Sequence, residues 1–345
     1  MTPPPRIYPR PPDLWHLPLG AGRRMAYRVL GRPDAAPWLV LHGGPGSGGN
    51  PGLWQPFDLS RQRVVVPDQR GSGRSTPRGD TRGHTLDALV RDLETLRRHL
   101  RVERWRVLGG SWGATLAVHY AAQHPDAVER LVLRGAFDAR PRTVQRLFLR
   151  FGSPQWGPRG QWGSRPVLHR LSQLLQAGTL GVTQQRALTH WHRLELAAAW
   201  HGVRRAQRHA PAGPLRVALQ AHRRGLQRAA RRASGLPLPP RVLQAAWQKF
   251  RVQAHVLARG GGWRAGSWSA QVARIARAGI PCDWVHGRCD TVCAPQTSLD
   301  AWQWQNRLRP GVARLHPTHA GHLGTDPDNA RALRNCVSRP TPAVA

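Results

Sequence analysis

Five residues, Gly109-Gly110-Ser111-Trp112-Gly113, constrain this chain more than any other stretch. They follow the apolar run Trp105-Arg106-Val107-Leu108 and precede Ala114-Thr115-Leu116-Ala117-Val118-His119-Tyr120-Ala121-Ala122. That order reads as a strand, a sharp turn and a helix. The pattern is G-x-S-x-G, the nucleophile elbow, in which a strained turn lifts a serine hydroxyl clear of the sheet edge. Glycines flank the serine because a Cβ at Gly109 or Gly113 would meet the neighbouring strand or helix. The helix behind the turn points its first N–H groups at any oxyanion that develops beside Ser111.

The surroundings repeat the strand–helix rhythm. Trp38-Leu39-Val40-Leu41 and Val64-Val65-Val66 are short, continuously apolar runs, the mark of strands buried on both faces of a parallel sheet. Apolar residues at 86, 89, 90, 93, 96 and 100 give Thr85 to Leu100 a helical spacing. Leu131-Val132-Leu133 is a further strand. Residues 17–30 read as a hairpin turning at Gly20-Ala21-Gly22, behind a Pro-rich arm over residues 1–17. Strands alternating with helices in this way make an α/β chain with a mostly parallel sheet and helices on both faces.

The rhythm breaks near Arg140. From there to about Ile275 the chain is rich in Arg, Gln, Leu and Trp, with helical segments at Thr183 to Trp200 and Pro240 to Leu257. Strands return at residues 280–285 and 312–315. The expected organisation is therefore a sheet-bearing core over residues 1–139 and 276–345 with a helical cap inserted over 140–275. The tail after Val337 is Pro-rich and expected to be loose.

Composition narrows the setting. The 345 residues allow a large core. No apolar run is long enough to cross a membrane, and the start lacks a secretory segment. The four cysteines, at 282, 289, 293 and 336, do not make a disulfide framework, so a reducing cytoplasm is the expected home. A formal net charge of +34 would ordinarily suggest nucleic acid. Here Lys249 is the only lysine among 52 basic residues, and the arginines are scattered rather than gathered. This is compositional bias more than a phosphate-binding surface, and specific nucleic-acid or membrane partners are not expected.

A serine nucleophile needs a base, and the base needs an orienting acid. On a sheet of this kind they follow in the order Ser, Asp or Glu, His, each after a later strand. Asp290 lies in His286-Gly287-Arg288-Cys289-Asp290, and His322 in Thr318-His319-Ala320-Gly321-His322. The expected triad is Ser111, Asp290 and His322, with His319 the competing histidine. Two amides should converge on the oxyanion. Trp112 is one; Gly44, in the loop His42-Gly43-Gly44-Pro45-Gly46, is the other.

Together, that loop, Asp68-Gln69-Arg70-Gly71-Ser72-Gly73-Arg74-Ser75 and the elbow resemble the prolyl aminopeptidase (proline iminopeptidase) family of α/β-hydrolases, most closely from Leu17 to Phe137. The resemblance implies an α/β-hydrolase fold with a helical cap and a serine peptidase that removes an N-terminal proline without metal or cofactor. It also implies a cap glutamate that binds the substrate's amine. Trp191-His192-Arg193-Leu194-Glu195 is similar to that segment, with Leu194 where the family usually has a second tryptophan. Glu195 is the only acidic residue between Asp138 and Asp283, in a segment with 25 Arg or Lys residues. The family's second amine-binding glutamate aligns with Gln253, which carries no charge. An esterase, lactonase or amidase on the same scaffold is the alternative, and a basic polyanion-binding protein with a vestigial site the other.

Overall fold

The computed structural model describes residues 14–140, 143–144, 164–234, 238–260 and 268–340. Its strands are β1 (Leu14–Gly20), β2 (Arg23–Gly31), β3 (Pro37–Leu41), β4 (Arg63–Pro67), β5 (Trp105–Gly110), β6 (Val128–Arg134), β7 (Cys282–Gly287) and β8 (Ala313–Thr318). They form one sheet in the order β1-β2-β4-β3-β5-β6-β7-β8. Pairing is antiparallel for β1 with β2 and β2 with β4, and parallel from β4 through to β8. The helices are α1 (Pro51–Trp54), α2 (Leu86–His99), α3 (Trp112–Gln123), α4 (Ser164–Gln176), α5 (Val182–His209), α6 (Pro214–Ser234), α7 (Pro240–Ala258), α8 (Trp268–Arg277), α9 (Pro295–Leu308) and α10 (Pro327–Ser338).

The period-two alternation of the strands explains the two layers. Leu39, Leu41, Val107, Leu131 and Leu133 face one side and pack with residues of α2, α3 and α8. Trp38, Val40, Val64, Val66, Val132 and Val285 face the other and pack with Leu333, Cys336 and Val337 of α10. All six of these strand residues are fully buried.

Between β6 and β7, α4, α5, α6 and α7 follow one another without a strand among the described residues. The boundary expected at 275–276 falls inside α8. Val272, Ile275 and Ala276 of α8 are buried in the main core, against α3 and α9, because the helix covers the sheet rather than the cap.

Other boundaries move for local reasons. Leu14 to Leu17, expected in the arm, already pair with β2; residues 1–13 lie outside the described residues. The helix expected over 183–200 continues to His209, since Trp200 to Arg208 contains no proline and a single glycine, Gly202, is tolerated within a helix. It stops at Ala210, whose extended backbone is what a residue before Pro211 adopts. Strands β7 and β8 extend to Gly287 and Thr318 because their parallel register carries on past the apolar run. At the C-terminus, α10 reaches Ser338, and residues 341–345 of the expected tail lie outside the described residues.

The order of β4-β3-β5 positions the site. The chain steps from β3 to one side and then returns to the other. Such a reversal leaves a crevice beyond the carboxyl ends of the two strands, where ligands bind in open α/β sheets. The His42 loop leaves β3 there, and the elbow leaves β5.

Candidate active site

Ser111 sits at the crevice with φ 57° and ψ −122°, a conformation that costs a non-glycine residue about 1–3 kcal/mol. The glycines around it are forced. A Cβ on Gly109 would lie 2.3 Å from the Gly113 carbonyl oxygen, and one on Gly113 would lie 2.2 Å from that of Leu41. The Ser111 N–H donates to the Arg134 carbonyl on β6 (2.8 Å), which fixes the turn from below.

The histidines of the last loop are separated by their partners. His316 Nε2 meets Asp283 Oδ1 at 2.7 Å. His319 is held by its backbone N–H, which donates to Asp328 Oδ2 (2.7 Å). His322 alone reaches Asp290, its Nδ1 donating to Oδ2 at 2.8 Å. The other carboxylate oxygen, Oδ1, accepts the N–H groups of Val292 (2.8 Å) and Cys293 (2.9 Å). His286 Nε2 lies 3.3 Å from Asp290 Oδ2, while its Nδ1 can accept from Ser298 Oγ at 2.7 Å. Burial alone would raise the Asp290 carboxyl, but His322 and His286 outweigh it and hold it well below the usual carboxylate range. Asp290 is thus an ionised acceptor that keeps the His322 proton on Nδ1 and leaves Nε2 free to accept.

Ser111 and His322 open on one cavity of about 370 Å³. The serine hydroxyl has Cys293 Sγ 4.0 Å away. Burial pushes that thiol well above its ordinary range, so it stays a neutral neighbour. Gly43 and Gly44 line the cavity, and a Cβ on Gly43 would come within 3.3 Å of Ser111 Cβ.

The three motifs turn out to be one network. The Trp112 indole Nε1 donates to Gln69 Oε1 (3.0 Å). Gln69 Nε2 donates to the His42 carbonyl (2.9 Å), and the Gln69 N–H donates to His42 Nε2 (3.0 Å). His42 therefore carries its proton on Nδ1, which donates to the Gly43 carbonyl (2.9 Å). Asp68 accepts the N–H groups of Gly49 and Arg74. Arg70 makes a two-pronged pair with Asp92 on α2, both contacts 2.6 Å. The elbow, the glycine loop and the Asp68 loop thus hold one another in place.

The roof of the cavity comes from α5 and α7. Trp191 of α5 stacks on Phe250 of α7, ring centres 4.5 Å apart. Leu194, Glu195, Ala198 and Ala199 face the cavity from α5, and Lys249 and Gln253 face it from α7. Among the described residues Glu195 pairs with no arginine. Its Oε2 accepts from Lys249 Nζ. Lys249 is the residue that sequence reasoning missed. It counted only as compositional evidence, although a single lysine in an arginine-rich chain was itself a signal.

Among the described residues, Asp283, His316 and Cys336 bring potential metal-binding atoms within 4.8 Å of one another. Arg130 and His316 already occupy the Asp283 carboxylate, and burial pushes the Cys336 thiol up to about 12. The cluster is an ion-pair network between β6, β7 and β8.

Residues 37–326 match the family model described as the alpha/beta hydrolase fold. A proline iminopeptidase of Xanthomonas citri is 33% identical over 314 residues, 89% of this chain and 90% of that protein. A proline iminopeptidase of Xylella fastidiosa is 32% identical over 341 residues, covering 95% and 96%. The chain belongs to the proline iminopeptidase family of α/β-hydrolases. A third relative, from Arabidopsis thaliana, is 48% identical over 114 residues, 33% of this chain and 30% of that one. Likeness in fold reaches wider. A hydrolase of Pseudomonas aeruginosa superposes with a TM-score of 0.59 at 21% identity, covering 94% of this chain and 97% of its own. An enol-lactonase of Burkholderia xenovorans gives 0.56 at 19%, covering 92% and 96%. Family membership and the sheet topology agree on the scaffold. No helix among the described residues is long and apolar enough to cross a membrane.

Proposed function

We propose that this protein is a serine aminopeptidase that releases an N-terminal proline from peptides. The observation that carries the reading is the common cavity: Ser111 and the Asp290-held His322 form its floor, and the cap's single carboxylate, Glu195, faces it from above. Ser111 Oγ attacks the scissile carbonyl. His322 Nε2 takes the hydroxyl proton and returns it to the leaving amine, and Asp290 stabilises the imidazolium between those steps. The amides of Trp112 and Gly44 receive the oxyanion. Water then releases the acyl group by the same proton route. In the resting protein Ser111 and His322 are not hydrogen-bonded; such contacts commonly tighten only when substrate is bound. Helices α4 to α7 act as the cap, and Glu195 holds the substrate's amine.

One observation favours the second reading, an esterase or lactonase. Lys249 neutralises Glu195, and Gln253 is uncharged, so the roof offers no net negative charge. A panel of chromogenic aminoacyl amides and short-chain esters, assayed side by side, separates the two. Proline leading among the amides supports the aminopeptidase. Cleavage of esters alone rejects it. A nonspecific shift of DNA at physiological salt without hydrolase activity would point instead to a polyanion-binding protein.

A further inference from the structure

Lys249 and Glu195 come from facing helices, α7 and α5, and meet inside the cavity above Ser111. The lysine ammonium also lies over the Phe250 ring, 4.8 Å from its centre, so it is held from two sides. Four residues further along α7, Gln253 lines the same cavity. It is only 7% exposed, and its Oε1 has no hydrogen-bond partner among the described residues. Buried acceptors are normally satisfied, and one left open at a cavity wall awaits a donor.

A prolyl N-terminus and a lysine side chain present the same thing to a carboxylate: a compact cation with N–H donors. Glu195 is shared between the two only at a loss, since each lysine contact taken from it leaves a cation in a partly buried place. The lysine stem is flexible enough to swing aside, unlike an arginine fork. An acyl group of the same shape without the amine would displace nothing.

We propose that Lys249 is the specificity-determining residue of this site, a resident competitor that occupies Glu195, so that a substrate's amine binds by displacing it and donates its other N–H to Gln253 Oε1. The inference rests on the aminopeptidase reading. It makes a definite claim about substrate class: the cavity discriminates weakly between a prolyl group and its uncharged carbocyclic isostere, and Lys249 is the reason.

The test uses the full-length protein and two 4-nitroanilides, prolyl and cyclopentanecarbonyl, with kcat and KM measured separately. Lys249→Met should lower KM for the prolyl substrate about tenfold, the usual scale for one charge-assisted hydrogen bond. Its kcat should change little, KM for the cyclopentanecarbonyl substrate should shift much less than KM for the prolyl one, and a thermal melt reports the fold separately. Lys249→Arg keeps a cation but holds Glu195 with a fork that swings aside less readily, so KM for the prolyl substrate should rise. Gln253→Leu should raise KM for the prolyl substrate alone. A rise in prolyl KM in Lys249→Met, or an equal change on both substrates, would overturn the proposal, because Lys249 would then merely position Glu195. So would loss of both activities in Lys249→Met and Lys249→Gln alike. If parent and Lys249→Met both cleave only the carbocyclic substrate, the aminopeptidase reading itself falls, a pattern distinct from the others.

Discussion

At the scale of single residues, the site depends on a few atoms with no spare partners. Ser111→Ala removes the oxygen proposed to attack and keeps the backbone that the flanking glycines allow. Turnover should drop by about 10⁴-fold or more while the thermal midpoint holds. His322→Ala should be nearly as severe, and the double variant scarcely worse, because such groups act as a unit. His319→Ala should be mild, since the contact that anchors His319 runs through its backbone N–H. A dead His319→Ala with an active His322→Ala would reverse the assignment of the base. Glu195→Gln makes a different prediction. It removes an acceptor worth about 1.5–3 kcal/mol to a cationic amine and also leaves Lys249 uncompensated in the roof. The specificity constant for a proline amide should fall ten- to a hundredfold, and hydrolysis of an uncharged ester far less. Equal losses on both substrates would reduce Glu195 to a structural ion-pair residue.

At the scale of elements, the critical contact is where α5 crosses the loops that carry Asp290 and His322. A Cβ on Gly202 would lie 3.0 Å from Gly321 Cα and 3.2 Å from the Cys289 carbonyl oxygen. Alanine is the better helix former by about 1 kcal/mol, so propensity and packing oppose each other at this residue. Backbone cannot swing aside as a side chain can, so the added methyl should push α5 and the two loops apart by a few tenths of an ångström. Gly202→Ala should therefore lower kcat about tenfold, since small misplacements of reacting groups are costly, while thermal stability stays within a few degrees. Unchanged kinetics would mean the cap rides on the core more loosely than this close backbone contact implies.

At the scale of the whole molecule, the formal charge of +34 acts against a small set of well-used carboxylates. Burial would raise Glu94, but Arg97 and the Tyr120 hydroxyl outweigh it and hold it at about 2. Asp283 and Asp290 are held low in the same way, by His316 with Arg130 and by the two histidines. A depressed carboxyl stabilises the fold above its unfolded pKa, about 4, and that stability is lost as pH falls toward the folded value. Each protonation also adds to an already large positive charge, which opposes compactness. Stability should therefore decline steeply below about pH 4.5, followed by thermal melts across pH. At pH 5, added NaCl should raise the thermal midpoint, because salt screens the dispersed surface charges more than the buried pairs. A midpoint that falls with salt would show that exposed ion pairs outweigh the net repulsion.

The sequence by itself determined the parts that local rules govern. The elbow was legible because only glycine fits at 109 and 113. The parallel strands were legible because a strand buried on both faces must be apolar throughout. The pairing of Asp290 with His322 was legible because the sheet order places both after later strands, and the structure brings them to 2.8 Å. Where elements ended was less legible, as register carried β7 and β8 past their apolar runs. The tertiary structure alone decided which groups from distant segments share a space. It joined Trp112, Gln69 and His42 into one support and separated three neighbouring histidines by three different carboxylates. Above all it placed Lys249 on Glu195, 54 residues away in the chain. No spacing rule links one helix face to another across that distance. The pairing follows from how α5 and α7 pack, Trp191 on Phe250, and that contact sets the charge of the pocket.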